Sequence, residues 1–373
     1  MTAVDQPVNV GFPGLAGVPA LAEGQTQTRK DFSSDQEVRW CPGCGDYAIL
    51  AAMQGFLPEL GIKRENIVFV SGIGCSSRFP YYLETYGIHS IHGRAPAIAT
   101  GIATAREDLS VWVVTGDGDA LSIGGNHLIH ALRRNVNLKI LLFNNRIYGL
   151  TKGQYSPTSE IGKITKSTPM GSLDNPFNPV SLALGAEATF VARTIDSDRK
   201  HLTQVLTAAA QHRGTALVEI YQNCPIFNDG AFDAIKDNDT KAEAIIPLVH
   251  GEPIRFGTPI DDGSGTALGS KGVIRTDSGV EVVEVTPDNA SALLVHDAHA
   301  DDPTTAFALS RLTDFGYLQH APIGIFRSVD KPTYDDLARQ QVAQASEGTP
   351  TTAEGRNEAL AGLLHSGDTW TIG

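Results

Sequence analysis

The sequence predicts an α/β protein built on a doubly wound, mostly parallel sheet, followed by an irregular C-terminal extension containing a β-hairpin. Three observations predict it. Four short apolar runs, at 67–70, 111–114, 140–143 and 217–220, three of them rich in Val or Ile, read as strands buried on both faces. Helical stretches at 95–106, 121–134 and 199–212 lie between them, so strand and helix alternate from about residue 66 to 221. Beyond about residue 228 the chain turns to Pro, Gly and Asp.

Taken in order, residues 1–35 read as a flexible N-terminal extension. They carry Gly, Pro, Thr and Gln, and lack the basic start and continuous apolar stretch of a secretion signal. The α/β domain is expected over 36–228. Its first helix, within 46–60, has Tyr47, Leu50, Met53 and Leu57 at the spacing of one buried face. The extension is expected over 229–340, with 272–275 and 280–285 as the arms of the hairpin, Asp277-Ser278-Gly279 as its turn, and 306–312 as a short helix. The remaining tail, 341–373, with Thr349, Pro350, Thr351 and Thr352, is expected to extend over a neighbour or to be mobile.

Composition narrows the function. The 373 residues are 41% hydrophobic and 19% charged, and no apolar run approaches the roughly 18 residues of a membrane span. The cytoplasm is the expected compartment, with no membrane partner. A formal charge of -13, with Lys and Arg scattered, repels phosphate backbones and argues against nucleic acid. Four cysteines in a reducing compartment point to metal binding rather than disulfides.

Two motifs carry chemistry. Gly116-Asp117-Gly118-Asp119 ends one strand, and 25 residues separate Gly118 from Asn144-Asn145 at the end of the next. Both sit at carboxyl ends of strands, where open parallel sheets bind ligands. Glycines admit a phosphate to the backbone, and a carboxylate with an amide oxygen suits Mg²⁺ bridging two phosphates. The alternative is a pair of tight turns. The second motif is Cys41-Pro-Gly-Cys44, joined after 30 residues by Cys75 and after a further 148 by Cys224-Pro225. One close pair with two single cysteines is nearer to a 4Fe-4S pattern than to the paired knuckles of structural zinc, which is the competing metal.

The spacing of Gly-Asp-Gly and Asn-Asn resembles the cofactor motif of thiamine-diphosphate enzymes. Together with Cys41-Pro-Gly-Cys-Gly45, Ser71-Gly-Ile-Gly-Cys75, His92-Gly-Arg94, the segment Asn144 to Gln154, Ser156-Pro-Thr158 and Asn223-Cys-Pro225, it resembles the β subunit of 2-oxoacid:ferredoxin oxidoreductases over about residues 36 to 330. Leu150-Thr-Lys-Gly-Gln154 looks like the branch acting on 2-oxoglutarate; a pyruvate or broad-range enzyme is the alternative within the family. A bare iron-sulfur electron-transfer protein is the alternative outside it.

The resemblance implies a thiamine-diphosphate-binding fold that holds thiamine diphosphate, Mg²⁺ and a 4Fe-4S cluster. Asp117, the Asn145 side chain and the Ile147 carbonyl become the Mg²⁺ ligands, while Gly74, Gly93, Gly116, Gly118 and Asp119 lie at the cofactor. Cys41, Cys44, Cys75 and Cys224 hold the cluster. A 2-oxoacid is decarboxylated, coenzyme A accepts the acyl group, and electrons pass through the cluster to ferredoxin. Arg78 and Lys152 become partners of the substrate carboxylates, since a dicarboxylate needs two cations. His92 is either a cofactor contact or a hydrogen-bonded structural histidine.

Thiamine enzymes need a second α/β module for the aminopyrimidine. This chain offers one alternating stretch, so a larger α subunit is expected to supply the other, in an α2β2 arrangement.

Overall fold

A computed structural model describes residues 11–261, 267–313, 318–368 and 370–372. In chain order the elements are α1 (Asp46–Phe56), β1 (Ile67–Ser71), β2 (Tyr86–His89), α2 (Ala95–Ala105), β3 (Ser110–Gly116), α3 (Asp117–Leu121), α4 (Gly125–Arg134), β4 (Lys139–Asn144), α5 (Pro179–Gly185), β5 (Phe190–Ile195), α6 (Arg199–Gln211) and β6 (Ala216–Tyr221). They continue with α7 (Asp233–Lys236), α8 (Lys241–Ala244), β7 (Ile245–Leu248), β8 (Arg255–Asp261), β9 (Ala267–Thr276), β10 (Gly279–Glu284), α9 (Thr304–Ser310), β11 (Ala321–Ser328), α10 (Tyr334–Ser346) and α11 (Ala353–Leu364).

Eight strands form the main sheet in the order β2-β1-β3-β4-β6-β5-β11-β7. Strands β1 to β6 run parallel, whereas β11 pairs antiparallel with β5 and parallel with β7. Because side chains alternate across a strand, each central strand feeds two cores. Phe69, Trp112, Leu141 and Phe143 face one core with α1 and α6. Val70, Val113, Ile140 and Leu142 face the other with α2, α4 and α5. Trp112 is fully buried and stacks on Phe69 at 6.0 Å, so its removal costs about 3 to 5 kcal/mol.

The helices start and stop where local chemistry dictates. Asn178 accepts from Ser181 N to cap α5, and Asp198 accepts from His201 N to cap α6. Helix α4 ends in Asn135, which takes the left-handed conformation that asparagine tolerates, with Arg133 and Arg134 in the last turn. The helix expected from 121 starts at Gly125, because Ser122 ends the short α3 at Leu121.

Several expectations change. The 217–220 run is not purely apolar: it contains Glu219, fully buried. Strands β2 and β5 were not foreseen. The boundary at 228 does not separate sheet from appendage, since β7 and β11 complete the main sheet and only β8, β9 and β10 form a separate antiparallel one. Its β9–β10 hairpin turns on Asp277-Ser278, with Gly279 already paired to Thr276. Within the first 35 residues, Leu15, Val18 and Phe32 are core residues, so 11–35 is packed rather than flexible. The boundary at 341 falls inside α10, and the tail beyond it contains α11. Arg213 and Arg339 both bind Asp336, which ties α10 to the body, while no residue of α11 is buried. Among the described residues no helix is long and apolar enough to cross a membrane.

Candidate functional site

A cavity of about 230 Å³ opens at the carboxyl ends of β1, β3 and β4. It is lined by Gly74, Cys75, His92, Gly116, Asp117, Gly118, Asp119, Asn145, Ile147 and others, so the two sequence motifs meet there. Strand β3 delivers Asp117 at the start of α3, and β4 delivers Asn145 one residue beyond its end.

Asp117 is 2% exposed, and its Oδ2 accepts from Ser156 Oγ at 2.5 Å and Thr158 Oγ1 at 2.6 Å. Burial pushes its pKa up to about 6, against the opposing pull of these hydroxyls. The carboxylate thus carries an unmet demand for positive charge, which fits a divalent cation. Gly118 beside it has no room for a side chain, because a Cβ would sit 2.1 Å from the Tyr148 ring. Tyr148 in turn donates its hydroxyl to the Gly118 carbonyl at 3.2 Å.

Asp119 sits at the same wall, but its carboxylate is engaged by the protein. Oδ1 accepts the backbone N–H of Gly93 at 2.8 Å and of Ile73 at 3.2 Å, and Oδ2 accepts from Thr115 Oγ1 at 2.8 Å. Gly93 has φ +67°, and a Cβ there would lie 2.4 Å from the Gly124 Cα. His92 lines the cavity with an exposed side chain, its Nδ1 3.6 Å from Asp119 Oδ1. Gly74 has φ +146°, a conformation that favours glycine.

The Asn145 side chain accepts the Ile147 N–H at 3.2 Å, and the Asn145 carbonyl accepts from Asn228 Nδ2 at 2.9 Å. Between them Arg146 takes a left-handed φ of +58°. Buried Asn144 holds this loop from below, its Oδ1 accepting the Arg146 N–H at 3.2 Å.

The cysteines gather at one edge of the cavity. Cys75 lines it, and the thiols of Cys75 and Cys224 both lie within 3.6 Å of the position a Cβ would take at Gly149. Cys41 is exposed, Cys44 and Cys75 are half-buried, and Cys224 is buried. Burial, then Asp46 and the neighbouring thiols, push Cys75 up to about 12 and raise Cys44 further. Burial also raises Cys224. Thiols held this way gain from a metal that stabilises their thiolates. Among the described residues no three His, Cys, Asp or Glu side chains are grouped to hold a single metal ion. Trp40 donates to the Cys75 carbonyl at 2.8 Å, and Gln222 Nε2 donates to Cys44 Sγ at 3.2 Å.

Arg78 and Lys152 are not among the residues lining the cavity. Arg78 is half-buried, donates to the Arg39 carbonyl at 3.3 Å and lies close enough to Cys75 to lower its pKa. Lys152 is exposed one residue beyond Thr151 of the cavity wall, with φ +75°.

Sequence reasoning missed Tyr148 and the roles of Ser156 and Thr158, although Ser-Pro-Thr was part of the resemblance. It also missed Asp46, at the start of α1 next to the cysteines. This carboxyl is 1% exposed, and burial pushes it up to about 7 against the opposing pull of the neighbouring Cys44 thiol.

Residues 72–220 match the C-terminal thiamine pyrophosphate-binding domain of thiamine pyrophosphate enzymes. Over 357 residues the chain is 66% identical to the 2-oxoglutarate oxidoreductase subunit KorB of Mycobacterium tuberculosis, covering 96% of this chain and 91% of that protein. A 2-oxoacid:ferredoxin oxidoreductase subunit beta from a Sulfolobus species is 47% identical over 192 residues, 51% of this chain and 63% of the relative. The solved 2-oxoglutarate:ferredoxin oxidoreductase of Magnetococcus marinus, with 2-oxoglutarate, coenzyme A and succinyl-CoA bound, superposes with a TM-score of 0.70 at 33% identity, covering 92% of this chain and 99% of that one.

Proposed function

We propose, from the fact that this chain belongs to the β-subunit family of 2-oxoglutarate and 2-oxoacid:ferredoxin oxidoreductases, how its residues divide the work of that enzyme. The reaction is oxidative decarboxylation of 2-oxoglutarate to succinyl-CoA with electrons delivered to ferredoxin. Thiamine diphosphate, when bound, supplies the electron sink that makes decarboxylation possible. Reading the chain as a bare electron-transfer protein is set aside by the thiamine pyrophosphate-binding match over 72–220.

The observation that carries the assignment is buried Asp117, with two hydroxyls but no cation partner among the described residues, at the carboxyl ends of the strands. Asp117, the Asn145 side chain and the Ile147 carbonyl hold Mg²⁺, and the Mg²⁺ anchors the diphosphate. Gly116, where a Cβ would meet nothing nearer than Ser76 Oγ at 3.5 Å, leaves the backbone open to it, while Gly93 and Gly118 make room for Gly124 and the Tyr148 ring that shape the pocket. Asp119 orients the loops that form the pocket rather than binding the diphosphate itself.

Cys41, Cys44, Cys75 and Cys224 hold a 4Fe-4S cluster. The nearness of the Cys75 and Cys224 thiols around Gly149, and the mutual effect of the four thiols on one another's pKa, support this. Exposed Cys41 gives such a cluster its edge towards solvent and ferredoxin. Arg78 and Lys152, flanking the cavity, meet the carboxylates of 2-oxoglutarate. A larger α subunit supplies the second half of the thiamine site, two copies of each chain forming the enzyme.

The test is anaerobic purification with the genomic neighbour, followed by iron, sulfide and thiamine assays and 2-oxoglutarate-dependent dye reduction. About four irons per chain are expected, from the four cysteines available. Cys224→Ser should lose the iron and dye reduction while retaining thiamine diphosphate. One tightly bound zinc and no iron would overturn the cluster assignment.

A further inference from the structure

We propose that the buried ion pair of Arg193 and Glu219 is the positioning element of the Mg²⁺ loop, acting through Asn144. The two side chains lie directly across from each other on β5 and β6, both fully buried, with Arg193 Nε 2.7 Å from Glu219 Oε2. The other carboxylate oxygen, Oε1, accepts from Asn144 Nδ2 at 2.7 Å. Asn144 is the last residue of β4 and immediately precedes the metal-ligand candidate Asn145.

That bond decides which way the Asn144 amide faces. With its NH2 group committed to Glu219, its oxygen is turned upward, where it accepts the Arg146 N–H at 3.2 Å and meets Thr158 Oγ1 at 2.9 Å. Thr158 Oγ1 is also 2.6 Å from Asp117 Oδ2. One amide therefore touches the 145–147 loop and one of the hydroxyls that hold the Asp117 carboxylate. The loop needs such support, because Arg146 sits at φ +58°, where a residue with a Cβ is strained.

Burying two charges is not an efficient source of stability. An apolar pair of similar volume is often neutral or more stable, so the ion pair needs another reason to be there. An apolar side chain at 219 leaves the Asn144 NH2 without an acceptor, and the amide free to turn. A lone glutamate at 219 would supply the acceptor but leave a buried negative charge behind the diphosphate. Arg193 cancels that charge, and its remaining N–H groups are used on Thr313 Oγ1 at 2.7 Å and the Pro322 carbonyl at 3.3 Å.

This inference rests on Asp117 and Asn145 being the Mg²⁺ ligands. Its test is the Mg²⁺ concentration that half-saturates thiamine diphosphate binding, read by calorimetry on the chain co-purified with its α subunit. The double substitution Arg193→Met with Glu219→Leu removes both charges together, so no unpaired buried charge is left behind. Groups that hold metal ligands in place by hydrogen bonds typically contribute about 10- to 100-fold in affinity, so the half-saturating Mg²⁺ should rise by that order. Asn144→Ala leaves the ion pair intact and should raise it similarly; it decides the matter if the double variant does not fold. In both, iron content should be unchanged and saturating Mg²⁺ should restore turnover, which it cannot do for a general folding defect. Half-saturation within about twofold of the parent in Asn144→Ala, far below the effect expected of such a partner, overturns the inference, provided Asp117→Ala abolishes binding. If Asp117→Ala binds normally, the metal-ligand assignment itself fails.

Discussion

The Oδ1 atom of Asp119 accepts the backbone N–H of Gly93 at 2.8 Å, and this bond fastens the 92–94 loop to the end of β3. Through Ile73 N and Thr115 Oγ1 the same carboxylate fastens the loop after β1 as well. The contact is tight: a Cβ at Gly72 would lie 1.8 Å from Asp119 Oδ2. Asp119→Ala should therefore collapse the pocket wall, since each buried group left without a partner costs about 1 to 3 kcal/mol. Asp119→Asn keeps an oxygen for both N–H groups and should retain thiamine diphosphate. Thermal melts and thiamine retention after gel filtration distinguish the two; equal retention in Asp119→Ala would argue against the strut.

Gly118 and Tyr148 form a second coupled pair. Gly118→Ala places a methyl group inside the Tyr148 ring, so it should displace the tyrosine and abolish cofactor retention. Adding Tyr148→Ala removes the clash and should recover part of the binding. Failure of the second substitution to recover any would mean that the methyl group blocks the diphosphate itself.

At the opposite end of the sheet, the Lys139 ammonium is 2% exposed and donates to Asn137 Oδ1, the His212 carbonyl and the Gly214 carbonyl. Burial pushes its pKa down to about 7 from the usual 10.5. The folded state then holds fewer protons than the unfolded state between these values, so this group makes stability rise as pH increases from about 7 towards 10.5. Chemical denaturation across that range should show a rise that Lys139→Met lacks. An identical pH slope in the two proteins would show that the three acceptors keep the ammonium charged.

The central strands were legible because runs such as Ile140-Leu-Leu-Phe143 have no competing reading, and the site because Gly-Asp-Gly and Asn-Asn sit at strand ends. Strand β5 was not, because Arg193 interrupts Phe190-Val-Ala192, and a lone sequence does not announce that a glutamate on β6 will neutralise it. Strand β11 carries Pro322 and Gly324, which read as turn residues. Gly324 in fact allows close packing, since a Cβ there would lie 2.5 Å from the Leu248 carbonyl. Asp119 looked like a ligand because it stood in a ligand motif; only the fold shows the backbone N–H groups that occupy it. The N-terminal segment looked flexible because its three core residues, Leu15, Val18 and Phe32, follow no helical or strand period.

Lys152 joins an exposed ammonium to a left-handed backbone, φ +75°, next to the cavity wall at Thr151. Its N–H donates to the Gly149 carbonyl at 3.0 Å, which fixes the turn that presents the side chain. Only 2-oxoglutarate brings a second carboxylate for that ammonium to meet, and a charge-assisted hydrogen bond is worth roughly 1.5 to 3 kcal/mol, or about one to two decades in kcat/KM. Lys152→Ala should lower activity with 2-oxoglutarate by that order and affect pyruvate far less. A backbone effect is separable from this, because alanine keeps the left-handed strain of lysine whereas Lys152→Gly relieves about 1 kcal/mol of it. Equal losses in the alanine and glycine variants, confined to 2-oxoglutarate, assign specificity to the ammonium. Equal losses on both substrates would instead place Lys152 at the shared α-keto acid end or the cofactor, and no loss on either would return it to the solvent.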